Sequence, residues 1–310
     1  MEHVFIGDIH GHAPTLLALL ERLGWKQRGG RLASPGGQKL VFVGDLIDRG
    51  PQNLRTVEIV RDLVERGDAL CVMGNHEYNA VQFHTEDPEN PGEYLRPRTE
   101  GKVRQHRAVL DEIEHRPGDW KDMLAWLRQL PLALEGEGWR CVHACWHPGH
   151  LEALERRSGG WYLPENRWVA AARGDTPEYA AVETLLKGPE YELPDGAGFF
   201  DKGGQWRRHA RIAWWEPEPA TLGEALLFQS PPEGLDCAAG YRNPDHPAYP
   251  EVAPPVFFGH YWRSGSIEPE RANAVCLDYS IGKGQRLAAY RYSGELQLRS
   301  DGFRTQSCVS

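Results

Sequence analysis

Three apolar, β-branched runs each break into a glycine followed at once by a metal-ligand residue type. Val4-Phe5-Ile6 leads into G-D-I-H-G (Gly7 to Gly11), Val41-Phe42-Val43 into G-D-L-I-D-R-G (Gly44 to Gly50), and Leu70-Cys71-Val72-Met73 into G-N-H-E (Gly74 to Glu77). A short apolar run bounded by glycine reads as a buried strand opening into a loop. Between the runs lie helical stripes, Ala13 to Leu23 with Pro14 where a missing N–H costs little, and Asn53 to Arg66 with apolar Leu54, Val57, Ile59, Val60, Leu63 and Val64. This β-α-β-α-β alternation predicts a parallel sheet covered on both faces. Loops at the carboxyl ends of parallel strands converge on one crevice. Asp8, His10, Asp45, Asn75 and His76 are therefore expected to meet there as a metal site.

Gly29-Gly30 and Gly36-Gly37 bracket a turn or short hairpin before the second strand. From His84 to Lys102 the chain is polar and Pro-rich and reads as a surface loop. Helices are expected around Gln105 to His115 and Asp119 to Gln129, then a strand from Trp139 to His143. Residues 158–250 break the rhythm and are too long for bare loop, so the reading is one domain over 1–310 with a partly helical, cap-like insertion at about 158–250 folded over the crevice. A β-rich close follows, with strands at Val256 to Phe258, Ala274 to Leu277, Leu287 to Tyr292 and Glu295 to Leu298, the last two joined by a hairpin turn at Tyr292-Ser-Gly-Glu295.

With 310 residues, 40% of them hydrophobic, the chain can bury one large core or two small ones. No apolar run approaches the ~20 residues that span a bilayer, and the first strand starts almost at Met1, so neither a membrane anchor nor a cleaved signal is expected. The net charge of −9 argues against a broad nucleic-acid surface, though bound divalent cations would add positive charge that the count omits. Six cysteines without a C-x-x-C pair read as buried free thiols in a reducing, cytoplasmic compartment.

Two more strand-end histidines complete the pattern: His143 in V-H-A and His260 in G-H-Y-W. The ordered set G-D-I-H-G, G-D-L-I-D-R-G, G-N-H-E, V-H-A and G-H resembles the signature of calcineurin-like metallophosphoesterases, in the phosphoprotein-phosphatase-like branch that holds bacterial Ser/Thr phosphatases and diadenosine tetraphosphatases. The motifs span Gly7 to His260, most of the chain. The resemblance implies an α/β fold, an αββα sandwich of two mixed sheets flanked by helices, with the β-rich close supplying the second sheet. It implies two divalent metal ions: Asp8 and His10 on the first, Asp45 bridging, and Asn75, His143 and His260 completing the second. Carboxylate, imidazole and amide oxygen suit Mn²⁺, the ion expected here, with Fe, Zn²⁺, Co²⁺ or Ni²⁺ as alternatives. By the same resemblance a hydroxide held between the ions attacks phosphorus, His76 is the general acid, Asp48 orients it, and Arg49 grips phosphate oxygens. A further substrate arginine is expected from Arg207-Arg208-His209-Ala210-Arg211, with Arg208 and Arg211 as candidates.

Where family members usually have glycine, this chain has Cys145, which reads as a buried, inert thiol rather than a redox group. His147 is a possible outer partner of a ligand or of substrate. The tryptophans read as core, with base stacking as the sharper alternative and Trp262 the one to watch. For function, a metal-dependent phosphomonoesterase acting on phosphoprotein comes first. A dinucleoside polyphosphate hydrolase is the alternative. A non-catalytic metal-binding module and a nucleic-acid end-healing phosphatase rank below these.

Overall fold

The structure, a computed structural model, describes residues 2–200, 206–228 and 232–309. Its first stretch follows the expected alternation: β1 (Glu2–Ile6), α1 (Ala13–Arg22), a hairpin of β2 (Lys26–Arg28) and β3 (Arg31–Ala33) turning at Gly29-Gly30, β4 (Gln38–Phe42), α2 (Asn53–Glu65) and β5 (Ala69–Cys71). β1 runs parallel to β4 and β4 parallel to β5. Then come α3 (Asn75–Phe83), α4 (Glu100–Ile113) and α5 (Pro117–Leu127), a hairpin of β6 (Ala133–Gly136) and β7 (Trp139–Val142), and α6 (Pro148–Ser158).

Within residues 158–250 the chain forms α7 (Trp168–Ala171), α8 (Pro177–Lys187), β8 (Glu190–Glu192), β9 (Phe199–Phe200), β10 (Trp206–Arg207), β11 (His209–Ile212), α9 (Leu222–Ala225) and β12 (Leu226–Leu227). It closes with β13 (Val256–Phe258), β14 (Ala274–Cys276), β15 (Arg286–Tyr292) and β16 (Phe303–Ser307).

Two mixed sheets result, one ordered β16-β15-β1-β4-β5 and the other β14-β13-β7-β6. Side chains alternate across each strand, so one residue type set serves two cores. Phe5, Val41, Cys141, Phe257, Val275 and Ala288 point between the sheets. Their neighbours Val4, Ile6, Leu40, Phe42, Val256, Phe258 and Cys276 point outward into a second core shared with the helices. Strands buried on both faces explain why the runs read as continuously apolar. The outward Phe258 meets Trp214 and Trp215, with ring centroids 5.0 and 5.2 Å away, so segment 158–250 covers the second sheet. Trp168, Trp214 and Trp215 are thus core residues.

Three expectations need correction. The β-rich close does not go wholly to the second sheet: β13 and β14 do, whereas β15 and β16 add antiparallel to β1 at the edge of the first. Glu295 to Leu298 is not a strand; Leu296 is exposed, and β15 instead pairs with Phe303–Ser307 after a longer excursion. The polar and apolar alternation of E-L-Q-L mimicked a strand, but the edge it would extend is filled by F-R-T-Q-S. Helix α4 begins at Glu100 rather than Gln105, since Lys102 and Val103 already continue its pattern. Strand β6, four residues long, and helix α6, which begins on Pro148, went unread.

The inter-sheet core is centred on Phe5, whose ring stacks on Phe257 at 3.7 Å between centroids. Phe5→Ala is expected to lower stability by about 3–5 kcal/mol through lost burial and a residual cavity. Leu296→Ala, at an exposed position, should change it by less than about 0.5 kcal/mol. Urea unfolding of both variants checks the contrast, and equal midpoints would refute this account of the core.

Candidate active site

Five parallel strands from the two sheets end at one edge of the sandwich. β1 delivers Asp8 and His10, β4 delivers Asp45, β5 delivers Asn75 and His76 at the start of α3, β7 delivers His143, and β13 delivers His260. All six expected ligands are brought together there. Asp45 lies at the centre: His10 Nε2 is 3.7 Å from its Oδ2, and His143 Nε2 is 3.3 Å from its Oδ1. Asn75 Oδ1 sits 3.1 Å from His143 Nε2 and 2.9 Å from His260 Nδ1. Asp8 turns Oδ2 to the His260 backbone N–H at 3.1 Å and leaves Oδ1 buried without a hydrogen bond.

The backbone here is strained. Among the described residues, the non-glycine positions with positive φ include His10 (47°), Asp45 (50°), Asp48 (69°), Arg49 (75°), His260 (72°) and Trp262 (52°). Each such residue costs on the order of 1–3 kcal/mol and persists only where its surroundings over-determine it. Glu77 supplies that constraint for the Asp45 loop. Its carboxylate accepts from the backbone N–H groups of Asp45 and Leu46, both at 2.8 Å, and of Gly74 at 2.9 Å. The His76 N–H, in the first turn of α3, donates to Asp45 Oδ1 at 3.0 Å, placing the positive end of the helix against that carboxylate. Two glycines are sterically required: a Cβ on Gly259 would lie 1.9 Å from Asp8 Oδ1, and one on Gly74 would lie 2.3 Å from Asp45 Oδ1.

These residues fit a pair of cations. His10 donates Nδ1–H to Ile47 O at 3.0 Å and His143 donates Nδ1–H to Val43 O at 2.7 Å, which turns each Nε2 toward the Asp45 carboxylate; that carboxylate raises His143 to about 10 against the opposing effect of burial. Metal-binding histidines are oriented in this way by a backbone carbonyl. Burial, with His76 beside it, pushes His10 down to about 3, and burial likewise lowers His260, so both present neutral imidazoles. Asp8 is raised well above the carboxylate range by burial and by the nearby Asp278 carboxylate. Burying Asp8, Asp45 and Asp278 side by side is costly unless positive charge is added. Two donor groups share Asp45, one with His10 and His76 and one with His143 and His260. His76 belongs to the first by distance, and its Nδ1 is held 2.6 Å from Asp48 Oδ2; Asp8 Oδ1 is a further buried oxygen without a partner.

Asp48 and Arg49 stand where the sequence places them. Arg49 lies 4.2 Å over the Trp262 ring, a cation–π contact that points the guanidinium along the cleft. Trp262 therefore contacts an arginine. Arg211 reaches the cleft and donates to His260 O at 3.1 Å. Arg208 does not: it is half exposed and pairs with Asp195 at 2.8 Å, outside the cleft; it lies in the step between β10 and β11, whereas Arg211 lies within β11. Cys145 is fully buried, and burial pushes its thiol well above the ordinary value. His147 caps α6 by accepting from the His150 N–H and does not line the cleft.

Several residues were not found from sequence. Asp278 follows β14 and accepts from Trp262 N–H at 2.8 Å and Ser280 N–H at 3.0 Å. Its strand-end position in C-L-D-Y-S was a usable signal. The cleft, about 420 Å³, extends away from the Asp45 cluster to a wall with Arg96, Lys102 and Lys187. Nothing local marks these three, which come from a loop and two helices.

The geometry defines a buried donor cluster that could hold metal ions. A family profile described as calcineurin-like phosphoesterase matches residues 1–187, and the chain belongs to that family. It is 26% identical, over 92% of its length and 93% of the relative's, to the symmetrical bis(5'-nucleosyl)-tetraphosphatase of Thioalkalivibrio sulfidiphilus. It is 54% identical over 78 residues, 25% of this chain, to the asymmetrical bis(5'-nucleosyl)-tetraphosphatase of a Geobacillus species. That match spans only about a third of the relative's length (32%). A protein serine/threonine phosphatase from Saccharomyces cerevisiae shares the fold at 14% identity, covering 100% of this chain and 81% of its own, with a TM-score of 0.51. A cold-active protein-tyrosine phosphatase from a Shewanella species does so at 17% identity, 99% and 80% coverage and a TM-score of 0.50. No helix among the described residues is long and apolar enough to cross a membrane.

Two measurements test this site. Glu77→Ala would leave buried N–H groups of the Asp45 loop without acceptors and is expected to cost about 3–5 kcal/mol in urea unfolding, with a parental midpoint refuting the clamp. His84, at the end of α3, is lowered to about 3 by burial, with His106 and Arg98 adding to it. The folded state then binds fewer protons than the unfolded one below about pH 6.5, so this contribution to stability is present above that pH and lost as pH falls. Replacing His84 with Leu should flatten the decline in stability between about pH 6.5 and pH 4; an unchanged slope would contradict the assignment.

Proposed function

We propose that this phosphoester hydrolase acts on a dinucleoside polyphosphate, using two divalent ions, with Mn²⁺ the expected pair. The observation that carries the reading is the cationic wall. Lys102 lies close enough to Arg96 and Lys187 that, after burial, those two like charges lower it further. Clustered cations in a cleft are favourable when an anion neutralises them. A single phosphoryl group at the metal ligands would already face Arg49 and Arg211. The wall beyond them suits the further phosphates of a polyphosphate chain. The end-to-end likeness to a symmetrical tetraphosphatase supports the same choice.

Asp8, His10, Asp45, Asn75, His143 and His260 would hold the ions, which when bound supply Lewis acidity and lower the pKa of water. The chain's own residues do the rest. Arg49, steadied by Trp262, binds non-bridging phosphate oxygens in a planar fork. His76 turns Nε2 toward the cleft and gives its proton to the leaving oxygen. Asp45 and the Asp48 hydrogen bond raise His76 against the opposing effect of burial, which keeps it protonated for that task.

The test is a substrate panel with added Mn²⁺: diadenosine tetraphosphate, a phosphoserine peptide and p-nitrophenyl phosphate, with Asp45→Asn as the inactive control. The tetraphosphate should give the highest kcat/KM. Lys102→Ala should raise its KM by about tenfold, the loss of one charge-assisted contact, and leave p-nitrophenyl phosphate unchanged. Preference for the phosphopeptide, or an equal effect of Lys102→Ala on both substrates, would overturn the polyphosphate assignment in favour of a phosphoprotein phosphatase.

A further inference from the structure

We propose that His106 is a positioning residue for proton delivery to the leaving group, acting by holding the Asp48 carboxylate in the orientation that aims His76 into the cleft. The inference rests on His76 as general acid.

Asp48 and His106 are 58 residues apart in sequence, on the second metal-ligand loop and on α4. His106 Nδ1 lies 2.8 Å from Asp48 Oδ1, while His76 Nδ1 lies 2.6 Å from Asp48 Oδ2. An ionised carboxylate only accepts, so both imidazoles donate Nδ1–H to it. In His76 this commits Nδ1 and leaves Nε2, 3.9 Å from Asp45 Oδ2, as the atom facing the metal ligands. The carboxylate is thus shared, one oxygen to each ring.

Asp48 needs that second tether. Its backbone is left-handed, with φ 69°, a conformation uncommon for non-glycine residues. With one oxygen bound to His76 alone, the carboxylate could turn about its own side-chain torsions and carry the imidazole with it. His106 removes that freedom because its own ring is fixed. It is buried, packs against Phe83 and Trp120 with centroids 5.2 and 6.1 Å away, and its Nε2 lies 3.1 Å from His84 Nε2. The line His84–His106–Asp48–His76 therefore runs from the packed junction of α3, α4 and α5 to the reacting end of the cleft. A first shell held by fixed outer partners keeps productive geometry; loss of such a partner typically costs about 10–100-fold.

The test compares His106→Asn with His106→Gln on phenyl phosphate, whose leaving group needs a proton, and on 2,4-dinitrophenyl phosphate, whose leaving group does not. Asparagine puts an amide N–H at the depth of the ring Nδ1, within reach of Asp48. Glutamine puts it one bond further out, at the depth of Nε2, toward His84. His106→Asn should stay within about threefold of the parent on both substrates. His106→Gln should lower kcat on phenyl phosphate about 10–100-fold and on 2,4-dinitrophenyl phosphate by less than about threefold, with KM unchanged. The ratio compares two substrates on one preparation, so any unfolded fraction cancels. Equal losses on the two substrates, or equal behaviour of the Asn and Gln variants, would overturn the role of His106. His76→Gln is measured alongside. If it too lost both substrates equally, the general-acid reading itself would fail; if it showed the leaving-group dependence and His106→Gln did not, only the inference about His106 would fall.

Discussion

Burial of the Asp45 carboxylate among imidazoles is the arrangement on which the rest of this structure depends. Asp45 is 2% exposed, shared by two donor groups and supported from below by the Glu77 carboxylate, which gathers the backbone N–H groups of its loop. Loop residues with positive φ are individually unfavourable. They are held here because the backbone N–H groups of the Asp45 loop have fixed acceptors and because the strands on either side are buried on both faces. The sandwich is in this sense a clamp: two sheets, each contributing parallel strand ends, hold strained loops against one another at a distance suited to metal ions.

Charge is segregated around that clamp. Buried carboxylates of Asp8, Asp45 and Asp278 occupy the floor, imidazoles stand between them, and Arg49, Arg96, Lys102, Lys187 and Arg211 form the rim and wall. The chain carries a net charge of −9, yet its cleft is lined with cations. Global charge governs solubility and long-range steering; local placement governs which anion settles in the cleft. The segment 158–250 takes part in this placement. It covers the second sheet with Trp214 and Trp215 and sends Lys187 and Arg211 to the cleft.

Much of the site was legible because its residues lie directly after strands. Asp8, His10, Asp45, Asn75, His143 and His260 each follow an apolar run within a few positions, so local order foretells convergence once the strands are parallel. Arg208 illustrates the limit. It lies just before β11 and turns to Asp195, whereas Arg211, within β11, reaches His260 O, and where that strand begins depends on how it pairs with β8 and β12. The misplacement of the final strands has the same origin. E-L-Q-L and F-R-T-Q-S both alternate, and only the available edge of β15 selects between them.

The sequence by itself determined which Asp, Asn and His residues stand at strand ends, the αββα class and the family, since these rest on short runs and their order along the chain. Tertiary structure alone decided which groups meet from afar: Arg96, Lys102 and Lys187 on one wall, Asp278 beneath Trp262, and His106 against Asp48. The physical reason is that hydrogen bonds and Coulomb forces act over a few ångströms in space and take no account of separation along the chain. A histidine in the middle of α4 is chemically silent until helix packing carries it to within 2.8 Å of a carboxylate.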